Sequence, residues 1–175
     1  SFISDVVIGR DLIGRADAER GRFRAYLITA LKRFAIDQDR SDEGHVITVA
    51  DDVLRAIEPS EDDDPIMAYD RQWAATVFHL ACIRVEQACV DGGIERTWRA
   101  FEARILRPIV SGNDPISFDE LAVELGAESR QQIYSMLQTI KEKVQHAVRD
   151  VVAETVDDPR LIDREVAELR QFLSF

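Results

Sequence analysis

Glycine, proline and cysteine are all scarce in this 175-residue chain, at eight, five and two. Runs in which Val, Ile or Thr alternate strictly with polar residues are nearly absent, so a mostly helical protein is predicted. No apolar run approaches the roughly 18 residues that a bilayer-spanning helix requires, and no secretory signal opens the chain. The expectation is a cytoplasmic protein that does not insert into a membrane. Cys82 and Cys89 stand seven residues apart on one predicted helix, on the same face but about 10 Å apart along the axis. That separation is too long for a disulfide and suits buried free thiols.

Positive charge is short as well. Lys and Arg number 22 against 33 Asp and Glu, a net charge of −11, which argues against a simple nucleic-acid coat protein. The acidic surface serves solubility or steers a basic partner. With 46% hydrophobic residues the chain can bury a sizeable core, and its length allows one ordinary domain or two small ones.

What is present centres on residues 119–153. Leu121, Ala122 and Leu125 make an apolar helical face, and Gly126 supplies a stop. Ile133, Met136, Leu137, Ile140, Val144, Ala147, Val148 and Val151 then recur at three- and four-residue steps, the buried stripe of a longer helix. The remaining surface offers Arg130, Gln131, Gln138, Lys141, Lys143, Gln145 and Arg149. Between 130 and 149 four positive residues face one acid, Glu142, so this helix is basic within an acidic protein. A short helix, a turn and a second helix with a polar-basic outer face match the helix-turn-helix pattern, whose second helix enters a DNA major groove. Ser117 followed by Glu120 predicts a capping box at the start of the first helix.

The rest of the chain is read in order. Residues 2–17 hold two short helical pieces, and Phe2 directly after Ser1 suggests that a preceding segment is missing. Residues 21–39 predict a helix with Phe23, Tyr26, Leu27, Ala30, Leu31, Phe34 and Ala35 buried and with Arg22, Arg24, Lys32 and Arg33 positive. Interleaved aromatics and bases suit melted DNA, although an aromatic core with solvated bases explains them equally. Residues 41–66 are acidic, with Glu61-Asp62-Asp63-Asp64 and two prolines, and read as a linker whose apolar piece Val46–Val49 docks on a neighbour. The acid run lacks calcium-loop spacing. A long helix follows over 65–90, presenting Met67, Trp73, Ala74, Val77, Leu80, Ala81, Ile83 and Val85. Gly92 and Gly93 end it, and a second helix over 94–110 is weakened near Pro108. Asp157-Asp158-Pro159 makes a break before a last amphipathic helix over 161–173.

These pieces, in this order, resemble the extracytoplasmic-function (ECF) class of bacterial RNA polymerase sigma factors, and most closely a subgroup with an extended C-terminal tail. RADAERGRFRAYLITAL resembles that subgroup's second conserved region and is a rather specific match. Glu58-Pro59 with YDRQWA (69–74) resembles its linker and the start of its fourth region. SFDELAVELG (117–126) resembles the first helix of its promoter-reading motif, and AETVDDP (153–159) the start of its tail. The likeness covers nearly the whole chain, without the first helices of region two.

The resemblance implies an all-α protein of two small helical domains. Residues 1–40 would be a partial region two, 41–64 an acidic linker and 65–175 region four. In the family, region two grips the polymerase clamp and opens the −10 element, while region four reads the −35 element and touches the beta flap. Arg22, Arg24, Lys32 and Arg33 would then lie near −10 DNA, and Arg130, Gln131, Gln138, Lys141 and Lys143 on or before the −35 reading helix. The implied partners are core RNA polymerase, promoter DNA and an inhibitory anti-sigma protein, in some relatives beside defence systems, with no cofactor. The chain departs from the pattern at Ser41-Asp42-Glu43, where relatives are basic, and at Thr139-Ile140-Lys141-Glu142-Lys143, where they are richer in arginine. Its turn at 126–131 is also one residue longer. Fewer positive charges predict weak, salt-sensitive promoter binding. A second expectation is a sigma-like interaction module, held by an inhibitor or adaptor, that reads little DNA itself.

An enzyme is not expected. His45, His79 and His146 fall on separate elements, and two ligands such as His79 and Cys82 do not make a zinc site. No phosphate-cradling glycine loop and no nucleophile elbow is present.

Overall fold

Ala50 and Val53, three residues apart in the acidic stretch after Gly44, are both buried, because residues 49–56 form a helix that docks on the rest of the protein. In the computed structural model, the described residues are 49–56, 65–154, 156 and 158–172. Their regular secondary structure is all helical, without a strand among the described residues, as the composition predicts. The elements are α1 (Val49–Ala56), α2 (Pro65–Asp91), α3 (Glu95–Phe101), a π-helical turn (Glu102–Leu106), α4 (Arg107–Ser111), α5 (Phe118–Leu125), α6 (Arg130–Ala153), a 3₁₀ turn (Pro159–Leu161) and α7 (Ile162–Leu169).

The 27-residue α2 is the spine, about 40 Å long at 1.5 Å per residue. Trp73, Ala74, Val77, Phe78, Ala81, Cys82, Val85 and Cys89 follow one another at helical spacing, and all are buried. Both cysteines are free thiols. Along this stripe α2 packs on α6, whose Ile133, Leu137, Ile140, Val144, Val148 and Val151 point inward. Trp98, Phe101 and Leu106 on α3 and the π turn close the same core, with Trp98 and Phe101 rings 5.5 Å apart. α7 covers the far end of α6 through Leu169, with Val166 and Phe172 partly buried beside it.

One hydrophobic cluster runs from α1 to α7. The segment expected to be linker therefore contributes Ala50 and Val53 to the same core as the rest of the described residues. A hydrogen bond joins the two: His79 Nε2 on α2 lies 2.7 Å from Asp51 Oδ1 on α1. The expected domain 1–40, with its helix over 21–39, lies outside the described residues.

Two local departures from the predicted elements have simple causes. The helix expected over 94–110 continues through Pro108 to Ser111, but it widens into a π turn just before the proline, whose missing N–H and bulky ring disfavour an ordinary α turn there. The last helix starts one residue later than expected, because Asp158 caps a 3₁₀ turn that takes up Pro159 to Leu161, and it ends at Leu169, where the chain passes into a turn over 170–172.

Candidate nucleic-acid interface

The helix-turn-helix expected at 119–153 is built from α5 and α6. Ser117 caps α5 as the spacing predicts: its hydroxyl accepts from Glu120 N at 3.2 Å, and the Glu120 carboxylate accepts from Ser117 N at 3.1 Å. That contact holds the Glu120 carboxyl below the usual range. α5 stops at Gly126, whose φ of 62° is left-handed, and Ala127 N donates back to Ala122 O at 2.8 Å. Ser129 then caps α6 by accepting from Gln132 N, while the Gln132 side chain accepts from Glu128 N at 2.8 Å. Four residues therefore separate the two helices, and both ends of the turn are fixed by hydrogen bonds.

The entry to α5 is held from the other side by Arg104, on the π turn. Its guanidinium lies over the Phe118 ring, 4.6 Å from the centroid, and donates to the carbonyls of Pro115 and Ile116. Sequence reasoning missed this role. The motif gives no sign that an arginine 15 residues upstream of its first acid would position it.

The expected site residues on α6 do not share one face. Gln131 and Gln138 lie together on the exposed stripe. Arg130 is turned back across the motif and makes two hydrogen bonds to Asp119 on α5, at 2.5 and 2.6 Å. Lys141 and Lys143, two residues apart, sit about 160° apart around the helix and so occupy opposite flanks. Lys141 is half-buried and Lys143 exposed. Lys143 lies on the α2 side, where its charge acts on the Cys89 thiol; burial, the larger influence, still pushes that thiol up. Arg22, Arg24, Lys32 and Arg33 lie outside the described residues.

The outer face is also less basic than the sequence suggests. Arg149 donates to Asp163 of α7, and Arg130 is committed to Asp119, so two of the four positive charges are matched by carboxylates of neighbouring helices. Lys141 and Lys143 have no ion partner among the described residues. What remains on the exposed stripe is amide, hydroxyl and phenol from Gln131, Tyr134, Ser135, Gln138, Thr139 and Gln145, with the Glu142 carboxylate and the His146 imidazole beside them. Ser135 and Thr139 donate to the α6 backbone one turn back, at Gln131 O and Ser135 O. Tyr134 is 57% exposed, a large aromatic with no core role.

The end of α6 is tied down by Arg84 of α2, which donates to both carboxylate oxygens of Glu154 at 2.7 and 2.6 Å. This arginine holds the Glu154 carboxyl below the usual range. On the opposite surface Glu86 is pushed up, first by burial and then by the carboxylates of Glu102 and Asp51, with the Trp98 indole N–H acting the other way. Among the described residues no three His, Cys, Asp or Glu side chains converge as metal ligands, and no helix is long and apolar enough to cross a membrane. His79 is engaged with Asp51, and burial, with Glu86 next, pushes the Cys82 thiol far up.

No protein-family model matches the chain, and no curated protein or solved structure was found to match it.

Proposed function

We propose that this protein is an ECF-type sigma factor, which binds core RNA polymerase in the cytoplasm and directs it to a set of promoters. One observation carries the reading: α5 and α6 are joined by a short, doubly capped turn, and a continuous stripe of α6 is left to solvent. A helix presented in this way has the shape that a major groove accepts. The order of sequence motifs around it supports the same reading. In the groove, the central stripe would face base edges, while Lys141 and Lys143 on its flanks would approach the phosphates of either strand.

Exchanging both lysines for glutamate tests this division of roles. The Lys141→Glu, Lys143→Glu variant is expected to lose most transcription from its own promoters and to retain binding to core polymerase. Loss of polymerase binding, or unchanged transcription, would contradict the reading.

The alternative is a sigma-like module held by an inhibitory partner, with little DNA reading of its own. The ion-paired arginines and the nearly neutral outer face of α6 favour it. The two readings separate on a promoter duplex at low salt, where a pure interaction module shows no sequence preference.

A further inference from the structure

The amide side chains of Gln131 and Gln138 are seven residues apart on the exposed stripe of α6, about 10 Å along its axis. Tyr134 stands between them, three residues after the first and four before the second, so the three share one surface row. Resting on the DNA-reading proposal above, we infer that this row reads A·T base pairs, each amide pairing with an adenine and Tyr134 lying against a thymine methyl.

The argument is one of matched donors and acceptors. In the major groove, adenine offers N7 as acceptor and its N6 amino group as donor, whereas guanine offers two acceptors. A glutamine amide carries one acceptor and a donor group, so it satisfies adenine with two bonds. An arginine fork carries donors only and satisfies guanine. On α6 both arginines are withdrawn from the row, Arg130 by Asp119 and Arg149 by Asp163. The two arginine forks are thus neutralised, Lys141 and Lys143 stand on the flanks of the row, and the amides are left exposed along it. Gln138 is also partly oriented, since its Nε2 donates to Glu142 Oε1 at 3.2 Å, leaving its second N–H and its carbonyl oxygen for a base edge. The large exposed phenol of Tyr134 supplies the apolar contact that distinguishes the thymine methyl. With base pairs stacked about 3.4 Å apart, the two amides span about three steps when the helix lies along the groove.

The test is selection from a randomised duplex library, with the full chain alone at low salt and bound to core RNA polymerase. The unaltered protein is expected to enrich two A·T pairs about three steps apart. Gln131→Arg and Gln138→Arg should each convert a different one of these to G·C. Replacing either adenine by 7-deazaadenine, which lacks the N7 acceptor, should weaken binding by about tenfold. All three side chains are exposed, so neither exchange disturbs the core. An enriched sequence that both arginine variants leave unchanged, or one of G·C pairs alone, overturns this assignment while DNA reading stands. Enrichment of no sequence in either format overturns the DNA-reading proposal and this assignment with it.

Discussion

Arg130 and Asp119 face each other across the turn between α5 and α6, joined by two hydrogen bonds of 2.5 and 2.6 Å. Both side chains are about two-thirds exposed, so the pair adds at most about 1 kcal/mol to stability. Its larger effect is on charge. Under the DNA-reading proposal, a guanidinium at the first position of α6 would otherwise meet DNA. Asp119→Ala is therefore expected to raise affinity for a duplex several-fold and to steepen its salt dependence by about one counterion. Arg130→Ala should change both only slightly. Fluorescence anisotropy over a salt titration measures the difference, and a large loss in Arg130→Ala would show that the arginine leaves Asp119 for DNA.

The turn itself is held by its ends. Ser117→Ala removes one half of the capping box and should cost about 1 kcal/mol. Gly126→Ala places a side chain at a φ of 62°, where a Cβ meets no atom within 4 Å, so its cost of about 1–2 kcal/mol comes from the backbone alone. Urea denaturation should show both losses without a change in m-value.

Aromatic residues on the two long helices should behave oppositely. Phe78 is fully buried at the centre of α2, and Phe78→Ala should cost about 3–5 kcal/mol. Tyr134→Ala, on the exposed row, should stay within about 0.5 kcal/mol of the parent in stability. Its effect should fall on DNA selection instead.

Two glutamates should give opposite pH trends. Glu86 is raised in the fold, so its contribution favours folding below the unfolded-state pKa and is lost as pH rises through the raised folded value. Glu86→Gln should therefore raise the melting temperature at neutral pH and have little effect in acid. Glu154 is lowered by Arg84, so its contribution is present above the unfolded-state pKa and is lost as pH falls through the lowered folded value. Glu154→Gln should lower the melting temperature at neutral pH only, and modestly, because the pair is exposed. Thermal melts across pH 3–8 check both signs.

Much of this fold was legible in the sequence because it rests on local rules. The apolar period over 133–151 marked the buried face of α6, the Ser117–Glu120 spacing marked the start of α5, and Pro65 and Gly92 bracketed α2 within a residue. The failures were tertiary. Helix α1 was hidden because its acids, Asp51 and Asp52, resemble a solvated linker, while only Ala50 and Val53 report a buried side. Phe78 was left out of the expected stripe although its spacing from Cys82 fits it. Pairing of Arg130 with Asp119, Arg149 with Asp163 and His79 with Asp51 depends on how helices cross, which periodicity on one helix does not encode. Counting charges along α6 therefore overstated its basic character.

The central claim is that this chain directs RNA polymerase to promoters, and run-off transcription tests it most directly. The full-length protein would be combined with core polymerase and genomic DNA of its source organism, and the transcript starts mapped. The account predicts a small set of starts, absent without the protein, that share an upstream element and are lost in the Lys141→Glu, Lys143→Glu variant. No start beyond those of core polymerase alone, with the protein folded and bound to nothing in the mixture, would contradict it.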